Sequence, residues 1–200
     1  MNNIVFKGHT IVVVPLTDKD IEVSNKLGVA RTEFSKDHGR THRHDGMEST
    51  DAHALGTMGE IAVEKWLREN SVTFTAARRL VETYREIEQD IVVSDESLGV
   101  KTLKACGIAV AFQYGSFLYP AKNQTPEAGR ILPYPARLLQ VAVSMEKQQA
   151  WLIGWIAGKV IRVQPTREIA GKPAHTIPHG EYADCEKLIA IFKEKSASSS

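Results

Sequence analysis

Three polar residues carry the clearest chemical potential in this chain. Glu60 sits in Gly59-Glu60-Ile61-Ala62, which reads as the first turn of a helix. Asp90 sits in the strand-like Gln89-Asp90-Ile91-Val92-Val93, and Lys101 in the next strand-like run, Gly99-Val100-Lys101-Thr102. With a tight turn between those strands, Asp90 and Lys101 point to the same side near one sheet edge. An acid among Ile and Val is costly to bury unpaired, and Lys101 or a bound metal relieves that cost. Each residue also has a plainer reading. An acid in a first helical turn favours the helix dipole. Asp90 serves equally as a strand-end residue facing Arg85, and Lys101 as an edge lysine that discourages aggregation.

A second group is basic. Arg31, Lys36, Arg40 and Arg43 lie in a histidine-rich stretch ahead of the Glu60 helix, where they are placed to clamp a phosphate backbone. The acids Asp37, Asp45, Glu48 and Asp51 balance them, so a solvated loop fits as well. His38, His42 and His44 invite a transition metal, but no cysteine is near and the arginines repel a cation. Arg78, Arg79 and Lys104 are further candidates for phosphate contact. Trp151 and Trp155 share one strand face and read as core. Cys106 and Cys185 have no CxxC partner and read as core thiols. No GxSxG, HExxH or P-loop occurs.

These residues need elements to position them. Residues 3–6 and 10–14 predict two short strands around Lys7-Gly8-His9. Thr17 with Asp18 and Asp20 predicts a helix start, running toward Leu27 and ending at Gly28. Residues 31–53 show almost no apolar periodicity and predict a mobile or ligand-ordered loop. Leu55, Met58, Ala62, Trp66 and Glu69 then recur at helical steps. Strands are predicted over 72–74, 87–93, 99–103 and 108–113, with Ser94-Asp95-Glu96-Ser97 as a hairpin turn. Four prolines and a glycine predict a long loop over 119–135. Strands 138–145 and 151–156 form a pair, and 155–160 turns and continues extended. Residues 164–181 are rich in proline, glycine and histidine. The end predicts one helix with Tyr182, Cys185, Leu188, Ile189 and Phe192 on a face, then a frayed tail over 196–200.

Two hundred residues suit one domain, here 1–195 with a core at 55–156. At 42% hydrophobic and 24% charged the chain folds rather than remaining disordered. With 25 Lys and Arg against 24 Asp and Glu it is no polycation, so a grip on nucleic acid requires a local patch. The run Ile11 to Leu16 is too short for a membrane span or a signal-peptide core, and the expectation is no membrane and a reducing, cytoplasmic location.

The order of Gly59-Glu60-Ile61-Ala62, Asp90-Ile91-Val92-Val93 and Val100-Lys101-Thr102, with the softer Leu152-Ile153-Gly154-Trp155-Ile156, resembles the PD-(D/E)XK nuclease superfamily. The likeness is to its small phage and prophage members, over roughly residues 55–156. The resemblance implies an α/β (α+β) single domain with a central mixed sheet flanked by helices. It implies Mg²⁺-dependent (or Mn²⁺-dependent) hydrolysis of DNA phosphodiesters. Carried over, Asp90 and Glu60 hold metal, the Val100 carbonyl adds a ligand, and Lys101 is the catalytic lysine that stabilises charge or orients water. DNA is the implied partner and, as many members are dimers, a homodimer the implied assembly. The sequence departs from the pattern at Gly99, where the family carries an acid or Gln. Either Glu60 or Glu96 supplies the missing oxygen, or the fold binds DNA or a protein without catalysis.

Overall fold

In a computed structural model the described residues are 1–37, 48–76, 91–112, 116–120, 134–169 and 172–198. They form a mixed α/β domain built on a seven-stranded sheet flanked by helices.

Strands β1 (Asn2–Phe6) and β2 (His9–Pro15) pair antiparallel across a turn where Lys7 and Gly8 both adopt positive φ. Helix α1 (Asp18–Asp37) opens with a reciprocal cap. The Thr17 hydroxyl accepts the Asp20 N–H at 3.2 Å, and the Asp20 carboxylate accepts the Thr17 N–H at 2.8 Å. The helix does not stop at Gly28. A Cβ there would lie 2.8 Å from the Thr50 carbonyl and 2.9 Å from Ala54, so this glycine lets a second helix cross closely and is not a cap.

That second helix, α2 (Ser49–Glu69), starts six residues before the periodicity predicts. Its early part and α1 bury polar side chains between them as well as apolar ones. Thr32 and Thr57 are buried here, and the Thr32 hydroxyl bonds His53 Nδ1 at 2.9 Å. A loop was expected over 31–53 because hydrophobic spacing is blind to such an interface. Residues 38–47 lie outside the described set.

After β3 (Thr75–Ala76), β4 (Ile91–Val93) turns into β5 (Glu96–Lys104) through Ser94 and Asp95. Both have positive φ, the signature of a two-residue hairpin that matches strand twist. The apolar run 108–111 is a short helix, α3 (Ile108–Ala111), rather than a strand, since a few apolar residues suit either state. Strand β6 (Ser116–Pro120) follows, its last two residues reaching into the expected loop, of which 121–133 lie outside the described residues. Strands β7 (Arg137–Ser144) and β8 (Gln149–Ala157) form the expected pair. Residues 158–161 then form helix α4 (Gly158–Ile161), not extended chain. The proline-rich stretch holds β9 (Thr166–Ile169) and β10 (Lys172–Pro178), which join β6 in a second, three-stranded sheet. Helix α5 (Cys185–Ser198) closes the chain and takes in part of the expected tail. No helix among the described residues is long and apolar enough to cross a membrane.

The large sheet runs β1-β2-β8-β7-β5-β4-β3, with β5 and β7 parallel and the other neighbours antiparallel. Its two faces carry separate cores. Met58, Ile61 and Trp66 of α2 and Leu188 and Phe192 of α5 cover Leu98, Leu139, Val141 and Leu152 on one face. Phe112, Ile161, Ile177 and Tyr182 cover Leu138, Ala142, Trp151 and Ile153 on the other.

At the first interface α2 meets β5 with no spare room. A Cβ at Gly59 would sit 1.9 Å from Thr102 Oγ1 and 3.0 Å from two Thr102 carbons. Gly59→Ala is therefore expected to cost about 1–3 kcal/mol by overpacking, despite its better helix propensity. Urea unfolding of the variant measures this, and an unchanged or higher midpoint would contradict the contact.

Candidate functional site

Glu60 lies in the middle of α2, not its first turn, so the helix-dipole account of this acid does not hold. It is 6% exposed and faces α1. Arg31 grips it in a bidentate pair, Nη1 to Oε1 and Nη2 to Oε2, each 2.9 Å. Arg31 Nη1 also donates to Thr57 Oγ1 at 3.1 Å. The residue expected to hold metal and the residue expected to hold phosphate thus hold each other. One helical turn on, Glu64 is fully buried and accepts from Arg68 at 2.9 Å. Sequence reasoning missed Glu64. Its spacing from Glu60 places two acids on one helix face, but that pattern ordinarily marks a solvated surface.

β5 presents alternate residues to opposite sides of the sheet. Leu98, Val100 and Thr102 belong to the α2 side, because Leu98 and Val100 join that core and Thr102 abuts Gly59. Gly99, Lys101 and Leu103 belong to the other side, with Leu138 and Leu103 in the second core. The register therefore sets Lys101 on the face away from α2 and Glu60. Val100 is a half-buried core residue. Lys101 is half-buried, and its carbonyl accepts from Gln140 Nε2 at 2.8 Å across the parallel β5–β7 pair. Gln140, at 2% exposure, leaves Oε1 with no hydrogen-bond partner among the described residues, as does Thr102 Oγ1. Such buried polar atoms are rare, and nothing in either residue's sequence context announces them. Lys104 is exposed at the end of β5.

Glu96 opens β5 and takes two cations, Arg137 at 2.9 Å and Lys195 from α5. Partial burial by itself would raise its carboxyl pKa. The bonds from Lys195 and Arg137 outweigh that and hold it below the ordinary value. A depressed acid stabilises the fold above its unfolded pKa, and that contribution disappears as pH falls through the folded value. Glu96→Gln should accordingly lower the melting temperature at neutral pH and leave less to lose on acidification. Melting curves from neutral to acidic pH measure this, and parallel loss in both proteins would refute it.

Gly99 occupies the position where the nuclease pattern carries an acid. A Cβ there would stand 2.9 Å from Pro135 Cγ and 3.2 Å from its Cβ, so the ring fills the space a side chain would need. Asp90, Arg40, Arg43, Arg78 and Arg79 lie outside the described residues, as does the side chain of Lys36 in α1.

A divalent ion of the kind the resemblance implies needs carboxylate oxygens to spare. Both oxygens of Glu60 and both of Glu96 already accept hydrogen bonds from cationic side chains. No three His, Cys, Asp or Glu residues gather among the described residues. Of the acids expected to hold metal, the described two thus keep no oxygen without a cationic partner, and Asp90 lies outside the described residues. Compared with family models, curated proteins and solved structures, the chain matches none.

Proposed function

We propose that this chain is a nuclease-like protein that binds DNA without metal-dependent hydrolysis. The observation that carries this reading is the Pro135 ring packed where Gly99 would need a carboxylate. The bidentate Arg31–Glu60 pair agrees, since it commits the helix acid to holding two helices together. The order of motifs around Glu60, Asp90 and Lys101 supports a nuclease ancestry. Exposed Lys104, with no ion-pair partner among the described residues, and half-buried Lys101 offer positive charge along β5.

The test pairs binding with cleavage. The full chain is titrated into a labelled duplex at several salt concentrations, then incubated with plasmid and Mg²⁺ or Mn²⁺. Expected are binding that weakens steeply with salt and no plasmid cleavage that depends on Mg²⁺ or Mn²⁺. Cleavage abolished by both Lys101→Ala and Asp90→Ala would overturn the reading in favour of a metal-dependent deoxyribonuclease. Neither binding nor cleavage would leave protein recognition as the fold's use.

A further inference from the structure

A second polar cluster lies on the sheet face away from α2. Tyr134 Oη stands 2.5 Å from His175 Nε2, and His175 Nδ1 stands 3.0 Å from the Gln164 carbonyl oxygen. A carbonyl only accepts, so Nδ1 carries the ring proton toward Gln164. In the neutral ring Nε2 then holds a lone pair, and the Tyr134 hydroxyl donates to it. His175 is 6% exposed, whereas Tyr134 keeps part of its surface open. The exposed Arg162 guanidinium lies over the phenol ring, 5.2 Å from its centroid. Nucleophile, base and a third group that orients the base are the recurring parts of covalent catalysis.

The surrounding chain is shaped to hold this pair. A Cβ at Gly158 would lie 2.0 Å from the Pro135 carbonyl and 3.4 Å from Tyr134 Cβ, so residues 134–135 are seated against the start of α4. The Pro135 ring in turn covers Gly99, two residues before Lys101 on the same sheet face. The cluster thus stands beside the position from which the acid of the nuclease pattern is missing.

We propose that Tyr134 is a nucleophile, with His175 as its general base, that attacks phosphodiesters without a metal. The choice of phosphodiester rests on the DNA-binding reading above; the nucleophile itself does not. In the step, the phenol proton passes to His175 Nε2 while Tyr134 Oη bonds to phosphorus. The phosphorus bond to the leaving sugar oxygen breaks, and that oxygen takes the proton from Nε2. A phosphotyrosyl ester and a free hydroxyl result, with no redox change. Burial raises the phenol pKa above its ordinary value and Arg162 opposes this, so the phenol keeps its proton until the base removes it.

A tyrosine that merely latches the two sheets together would form no covalent product. The full chain is mixed with bis(para-nitrophenyl) phosphate in the presence of EDTA. Expected are a burst of one para-nitrophenolate per chain and an aryl phosphate ester mapped to Tyr134 by peptide mass spectrometry. Tyr134→Phe should remove the burst, and His175→Gln, which can keep the contact but is no base, should slow it by about 10²-fold or more. No burst, or a burst that survives Tyr134→Phe, overturns the proposal. Should the Phe variant not fold, an adduct on any other residue of the wild type does the same. A denaturant-resistant protein–DNA adduct with a single-stranded oligonucleotide supports the substrate class. A burst without that adduct retains the nucleophile and defeats only the DNA reading.

Discussion

Arg31→Met should destabilise the protein by about 3 kcal/mol or more at neutral pH, because it strands the buried Glu60 carboxylate without its partner. Glu60 is nearly enclosed and the pair is bidentate, so the lost bonds are charge-assisted and geometrically well set. Glu60→Gln should cost less, since Arg31 is the more exposed partner and can recover water. Replacing both residues by methionine should recover most of the loss, because exchanging a buried pair for apolar side chains is often near neutral. Urea unfolding of the wild type, Arg31→Met, Glu60→Met and the double methionine variant measures the cycle. A double variant whose loss equals the sum of the two single losses would show that the two side chains act independently. DNA affinity offers a separate check. If Arg31 serves the fold, the folded double variant binds DNA as the wild type does; if it serves phosphate, that variant binds more weakly.

Gly99→Glu is the second large effect, because it restores the acid that the nuclease pattern asks for. The expected outcome is a cost of about 1–3 kcal/mol from overpacking against Pro135, with no Mg²⁺-dependent cleavage gained. Gly99→Ala should share much of that cost, since the clash begins at Cβ. Pairing Gly99→Glu with Pro135→Ala should return part of the stability by removing the ring carbon that lies 2.9 Å away. Thermal melts and plasmid nicking with Mg²⁺ read both quantities. Cleavage appearing in Gly99→Glu at wild-type stability would mean that the position is open and the metal site only one residue short.

Local chemistry was enough for much of the framework. The cap at Thr17 and Asp20, the two-residue turn at Ser94 and Asp95, and the apolar stripe through Met58, Ala62 and Trp66 are short-range signals, and the elements appear where those signals lie. The strands around Leu138 to Met145 and Trp151 to Ile156 were equally plain from β-branched and aromatic content. Longer-range matters were not legible. Helix α1 runs through Gly28 because another helix needs the space, and no local rule separates that glycine from a terminating one. The small sheet was not legible in a stretch rich in proline, glycine and histidine, because its pairing partner β6 lies more than fifty residues back.

For the candidate site the division is sharper. Residue types and order suggested acids and an amine acting together, since spacing along the chain is all that a linear pattern records. Which oxygen faces which cation depends on how helices cross and on the parity of a strand, and both are set by packing between distant segments. Glu60 and Lys101 fall on different sheet faces because Thr102, between Lys101 and Leu103, is the residue that meets Gly59. Tyr134 and His175 come together because β10 meets the residues just before β7, a juxtaposition of segments forty-one positions apart. The chain encodes its elements through nearest-neighbour preferences, and the pairing of its polar groups is decided only when the faces of those elements are buried against one another.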